Sequence, residues 1–212
     1  MRNRVPFTSM FPWRPQGMSV AAVVVAFLCS ASCLSARTIL IDFEGFSDST
    51  ILTTQYPGVT FNNAIILSAG DSLNEFEFPP HSGVNVVSDN GGPMLIAFAS
   101  PVLSFSGYFT YAEALTLAAF GPLNNEVASA TSLFSNNEAL SGVAGSSPNE
   151  FLQVNFASGI SSITITGDPA GGSFVLDDAS ITTSTTITPE PSTFGLIFVG
   201  STILIAFRRR LT

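Results

Sequence analysis

Apolar and polar positions alternate through the middle of the chain. Leu103, Phe105, Gly107, Phe109 and Tyr111 share one phase, with Ser104, Ser106, Tyr108 and Thr110 in the other. Leu152, Val154 and Phe156 alternate with Gln153 and Asn155, and Ile163 and Ile165 with Ser162, Thr164 and Thr166. A period of two marks half-buried strands, and no comparable 3.6-residue period runs between Arg37 and Thr182. Further strands are predicted at 38–43, 59–61, 64–68, 84–88, 94–99, 115–120, 127–134 and 173–181. Turn clusters separate them: Tyr56-Pro57-Gly58, the stretch 89–93 (Asp-Asn-Gly-Gly-Pro), 145–148 and 167–172. The Asn/Ser/Ala-rich stretch 124–147 is expected to hold a long loop. Roughly ten short strands with frequent turns predict an all-β, antiparallel β-sandwich of jelly-roll-like form. The chain has 19 Phe, most of them in this region, enough to build such a core without disulfides.

Two segments depart from this pattern. Residues 18–31 form an apolar run behind a front end carrying Arg2, Arg4 and Arg14, and small residues follow it. That order predicts a signal peptide over 1–36, an N-terminal helix handed to the Sec translocon and cut by signal peptidase. Met10 and Met18 are alternative starts. Residues 194–207 form a second apolar run, followed by Arg208, Arg209 and Arg210. The resulting plan is a signal peptide at 1–36 and a β-sandwich at 37–182. A Thr-rich spacer with a Pro-Glu-Pro motif follows at 183–192, then a transmembrane helix with a cytoplasmic Arg cluster at 193–212.

Charge sharpens the picture. There are seven Lys and Arg in total, all of them Arg, and they lie at or before Arg37 or at 208–210. Of the 15 acids, all but Glu190 lie between Thr38 and Thr188. The central domain is strongly anionic, and nucleic acid and anionic lipid should be repelled by it. Surface ion pairs cannot hold it together. The two cysteines, Cys29 and Cys33, lie in or just after the first apolar run, so no internal disulfide is expected.

The tail has parts with separate physical roles. The apolar run can insert as a helix, and the arginines stay cytoplasmic by the positive-inside rule. Pro189 and Pro191 keep the backbone around Glu190 extended, as a processing enzyme would grip it. Pro189, Glu190, Pro191, the apolar run and Arg208, Arg209 and Arg210 closely resemble the PEP-CTERM sorting signal of Gram-negative bacteria. The resemblance implies an exosortase-type processing enzyme as partner and transient inner-membrane insertion. Export across that membrane would end at the cell surface or in the extracellular medium, in a setting of exopolysaccharide and biofilm.

Candidate chemistry in the domain is sparse. Asp42-Phe43-Glu44 near its start and Leu176-Asp177-Asp178 near its end resemble the jelly-roll sandwiches of carbohydrate-binding modules and adhesion domains. In those folds the first and last strands run side by side. The resemblance implies a structural Ca²⁺ held by Asp42, Glu44, Asp177 and Asp178. Four gathered carboxylates would repel one another without a cation, and oxygen ligands suit Ca²⁺. Against this stands the reading of four solvated strand-end acids. His81 is expected on an exposed loop. No nucleophile elbow, zinc-binding helix motif or phosphate loop is present, so no enzyme activity is expected. Tyr56 and Tyr108 are the candidate sugar-stacking rings, the only Trp being Trp13 in the leader. The expectation is an exported, exosortase-processed, non-catalytic surface or extracellular-matrix protein. A carbohydrate-binding module for extracellular polysaccharide is the alternative, and a secreted polysaccharide hydrolase the third class.

Overall fold

A computed structural model describes residues 33–187. The leader before Cys33, the Pro-Glu-Pro motif, the second apolar run and the arginine cluster lie outside the described residues, as do both expected terminal helices. Every regular element among the described residues is a strand: β1 (Cys33–Ile41), β2 (Val59–Asn62), β3 (Ala64–Ser68), β4 (Asn85–Asp89), β5 (Met94–Tyr111), β6 (Thr116–Phe120), β7 (Glu126–Thr131), β8 (Glu150–Thr166) and β9 (Phe174–Ile187). Among these residues no helix is long and apolar enough to cross a membrane.

The strand pairs resolve into two antiparallel sheets that share their long strands. In the first, β2 pairs with the start of β5 (Val59 with Phe98, Asn62 with Leu95), which pairs with the end of β8 (Met94 with Ile165). That end of β8 continues through β6 to β7. In the second, the order is β3, β4, β9, the end of β5 and the start of β8, with Phe109 opposite Leu176 and Phe105 opposite Val154. β1 pairs with β9, so the first and last strands do lie side by side.

One apolar core lies between the sheets. Ile96, Leu117, Ile163 and Ile165 from the first sheet pack in the same cluster as Phe105, Phe109, Leu152, Val154, Phe174 and Leu176 from the second. The alternation read from the sequence is thus the in-out alternation of strands with one buried face. Aromatic edges lock one end: Phe43 meets Tyr56 at 6.1 Å and 89°, and Phe46 meets Tyr56 at 5.5 Å and 72°. Each fully buried Phe contributes roughly 1.5–3 kcal/mol by leaving water.

The expectation of many short strands needs correction. Segments 94–99 and 103–111 are one strand, as are 152–156 and 163–166. The periodicity changes phase between them because both strands bend from one sheet into the other. The β5–β8 register shifts between Ala97 and Ser104. At the corner Gly159 has φ +101°, and a Cβ there would lie 2.7 Å from Pro101 Cβ. Only glycine permits both that backbone and that approach. At the end of the domain β9 continues to Ile187, five residues past the expected boundary at 182. The Thr- and Ile-rich spacer is β-branched, and where a partner strand is at hand such residues favour pairing.

Candidate binding face and its carboxylate strap

The outer face of the second sheet carries the polar chemistry. A bulge in β9 creates part of it. Tyr108 pairs with Asp177 and Ser106 with Ser180, so Asp178 and Ala179 together face Gly107. Asp178 takes φ 46°, in the left-handed region that Asp tolerates better than most residues. Gly107 faces the bulge, and a Cβ there would lie 2.3 Å from Leu176 Cδ1, so a larger residue would have to displace that side chain. Leu176, Ala179 and Ile181 stay in the core while Asp177 lies on the outer side.

The connection between β3 and β4 folds across this outer face as a strap. Its apolar part seats Leu73 and Phe78 against Val86 and Val175. Its last residues are tied by carboxylates. Asp177 Oδ2 accepts the N–H groups of His81 (2.7 Å) and Ser82 (2.9 Å), and Oδ1 accepts that of Asp178 (2.7 Å). Asp178 accepts from Ser82 Oγ at 3.0 Å and pairs with His81 Nδ1 at 2.7 Å. Glu44 Oε1 accepts the N–H groups of Val84 (3.0 Å) and Asn85 (2.9 Å). The turn itself needs Gly83, at φ +54°, where a Cβ would sit 2.2 Å from Glu44 Cδ. Burial pushes the Asp177 carboxyl up to about 6 against the lowering effect of its N–H donors.

The expected calcium ligands therefore do come to one strap, with Glu44 at its exit and Asp177 and Asp178 at its turn. Asp42 stands apart from them, accepting Glu44 N–H at 3.3 Å. The oxygens of Asp177 and Glu44 Oε1 accept backbone amide hydrogens. Among the described residues no three His, Cys, Asp or Glu side chains form a group able to hold a metal ion.

The two tyrosines differ. Tyr56 belongs to the aromatic box with Phe43, Phe46 and Phe61 and forms one wall of an apolar cleft of about 230 Å³ beside Ile39, Leu40 and Phe98. Burial, aided by the charge of Asp42, lifts its hydroxyl to about 12. Tyr108 does face outward, but one face of its ring is covered. The His81 ring stacks on it at 3.5 Å and 8°. Phe151, half exposed, lies at 5.4 Å in a tilted contact with it. His81 is exposed, as expected of a loop histidine, and its Nδ1 lies 2.7 Å from Asp178 Oδ2. Nothing in the spacing of His81 and Asp178 signals this contact, since the strap alone brings them together.

Beyond the strap the outer face carries polar side chains. Ser180, Ser106 and Gln153 form one cross-strand row, and Thr182, Ser104 and Asn155 the next. In the sequence these residues are polar spacers between core residues, and nothing there marks them as one surface.

Elsewhere carboxylates act on loops in the same way. Asp48 accepts Ser68 N–H and Ser72 Oγ, and the Ser72 hydroxyl does most to hold its carboxyl below the usual range. Glu77 accepts Leu140 and Ser141 N–H, the former contributing most to lowering its carboxyl. Buried Asp89 accepts Ser173 and Phe174 N–H, and burial raises it nonetheless. Glu150 accepts Leu133 N–H and the Tyr111 hydroxyl. In a domain with no Lys or Arg after Arg37, backbone amides take the place of cations.

No family model matches the chain, and no curated protein is similar to it. Solved structures do resemble the described fold. The K2 cleaved adhesin domain of Lys-gingipain is 12% identical, covers 68% of this chain and 99% of its own, and has a TM-score of 0.45. CBM35 from Paenibacillus barcinonensis is 17% identical, with 71% and 99% covered and a TM-score of 0.33. A family 11 carbohydrate-binding module from Clostridium thermocellum, in complex with a mixed-linked tetrasaccharide, is 12% identical, with 71% and 96% covered and a TM-score of 0.33. All three scores lie below 0.5, so the antiparallel β-sandwich assignment rests on the strand pairing of the chain itself.

Proposed function

We propose that the chain is an exported, exosortase-processed and non-catalytic protein of the cell surface or extracellular matrix, its β-sandwich being the part displayed. The observation that carries the non-catalytic half is the use made of the carboxylates. Glu44, Asp48, Glu77, Asp89, Glu150, Asp177 and Asp178 all accept hydrogen bonds that pin loops. A hydrolase needs a pair of acids free to face a substrate, and these seven are committed to the fold. Export is supported by the order of elements in the tail: Pro189-Glu190-Pro191, the apolar run, then Arg208, Arg209 and Arg210.

The test follows the chain in a Gram-negative host that carries exosortase. Wild-type protein is expected to leave the membrane fraction, and Glu190→Ala to stay in it. Equal release of the two would overturn the sorting reading. Hydrolysis of a polysaccharide by purified protein would overturn the non-catalytic one.

A further inference from the structure

We propose that the chain cleaves itself at the Asp168–Pro169 peptide bond, the attacking group being the Asp168 side-chain carboxyl. This is the only Asp-Pro pair in the sequence. It lies in the turn between β8 and β9, where Asp168 is half-buried and Pro169 and Ala170 are exposed. Asp168 Oδ1 accepts Ala170 N–H at 2.8 Å, which folds the carboxyl across the bond that joins residues 168 and 169. The carbonyl oxygen of that same peptide accepts Gly171 N–H at 2.9 Å. A donor there stabilises the negative charge that builds on a carbonyl oxygen as its carbon is attacked.

The surroundings hold the turn in this form. Asp168 N–H donates to Ser173 Oγ at 2.9 Å, and Ser173 is itself tied to buried Asp89. Gly172 N–H donates to Asp89 O at 3.0 Å. Gly171 takes φ +85°, and a Cβ there would lie 2.5 Å from Gly92 N. Only glycine lets the turn close against residues 91–92 while its N–H stays on the Asp168 carbonyl. A nucleophile held beside its target reacts without a diffusive encounter.

The step balances without any co-reactant but water. A carboxyl oxygen of Asp168 attacks the Asp168 carbonyl carbon and closes a five-membered ring. The bond from that carbon to Pro169 N breaks, and its electron pair stays on the nitrogen. The carboxyl proton passes to Pro169 N, a tertiary amide nitrogen that leaves as a basic secondary amine. Asp168 is then a cyclic anhydride, which one water opens to two carboxyl groups. Nothing is oxidised or reduced. The event occurs once per chain and rests on the turn alone, not on the tail. After it, β9 stays in place through its pairing with β4 and β5 and through Phe174, Leu176, Ala179 and Ile181 in the core. The two pieces therefore part only when the domain is denatured.

The test incubates the purified full-length chain in detergent with protease inhibitors, at pH 5 and pH 8, and follows it by denaturing gel and intact mass. A piece beginning at Pro169 is expected, forming faster at pH 5 because the leaving nitrogen takes the carboxyl proton. Hydroxylamine should trap the anhydride as a hydroxamate at Asp168. Asp168→Glu keeps the charge but must close a larger ring, and Pro169→Ala supplies a less basic leaving amine. Both should cleave at least about tenfold more slowly, and so should the parent unfolded in urea, which loses the Gly171 donor. Unchanged melting temperatures confirm that the variants fold. The proposal is overturned if no piece begins at Pro169 or if hydroxylamine traps nothing. It is equally overturned if Asp168→Glu or the urea-unfolded parent cleaves as fast as the folded parent.

Discussion

Asn137 offers the most direct test of how this domain holds its longest loop. It is fully buried. Its side-chain oxygen accepts Tyr111 N–H at 2.7 Å, and its Nδ2 donates to Phe109 O at 2.9 Å and Ser147 O at 3.0 Å. Asn137→Ala removes all three bonds and retains the backbone bond from Asn137 N–H to Tyr111 O. Ser147 is exposed and its carbonyl can turn to water. Tyr111 N–H and Phe109 O are in the core region, where an orphaned polar group costs roughly 1–3 kcal/mol. The expected loss is about 3 kcal/mol, or roughly 6–12 °C in Tm for a chain of this size. Chemical denaturation followed by tyrosine fluorescence would measure it. Asn137→Asp sharpens the test. The ionised carboxylate keeps the acceptor for Tyr111 but points an oxygen at two carbonyls, so at neutral pH it should be at least as damaging as alanine. Protonation restores a donor, and its deficit should shrink as pH falls. An alanine variant within about 0.5 kcal/mol of the parent, the spread of ordinary surface substitutions, would refute the reasoning. So would an aspartate variant as stable as the parent at pH 7.

Other consequences follow from the carboxylate staples. Gly83→Ala combines a positive φ with a 2.2 Å approach to Glu44, and should cost about 1–2 kcal/mol while speeding hydrogen exchange at Val84 and Asn85. Asp48 has a folded pKa lowered from 3.8. Its contribution is present above pH 3.8 and lost as pH falls through the folded value, so the gap between parent and Asp48→Asn should close in acid. Asp89 has the opposite sign, raised from 3.8 by burial. Its contribution is present below pH 3.8 and fades as pH rises through the folded value, so Asp89→Asn should compare best with the parent at neutral pH. Because Asp177 and Glu44 face amide hydrogens, adding EDTA or excess Ca²⁺ should leave Tm unchanged. A rise with Ca²⁺ would refute this and favour the metal expectation.

Much of this fold was legible in the chain. Leu103 to Tyr111 and Leu152 to Phe156 alternate as the buried and outer faces of real strands. The strand bends were not legible. Around Pro101 and Gly159 the alternation changes phase, and a local pattern reads a phase change as a break. The site was half legible. Asp42-Phe43-Glu44, just after the first strand, and Leu176-Asp177-Asp178, in the last, stood out as acidic motifs, and three of the acids meet one strap. What they hold there is Val84, Asn85, His81 and Ser82, whose amides carry no mark in sequence.

Sequence alone determined the secondary-structure class, the anionic character and the material for the core, because these depend on residue type and short-range period. Only the tertiary structure decided which polar residues are used up and which remain free. Asp178 and His81 lie 97 positions apart, and Ser180 reaches Ser106 only through the β9–β5 register. Ser106 and Thr50 look alike in the chain. One is buried in the middle of a sheet face, and the other donates to Ser47 O at 2.7 Å. That difference is set by long-range strand pairing, which fixes the neighbours of each hydroxyl and is not encoded in its own local sequence.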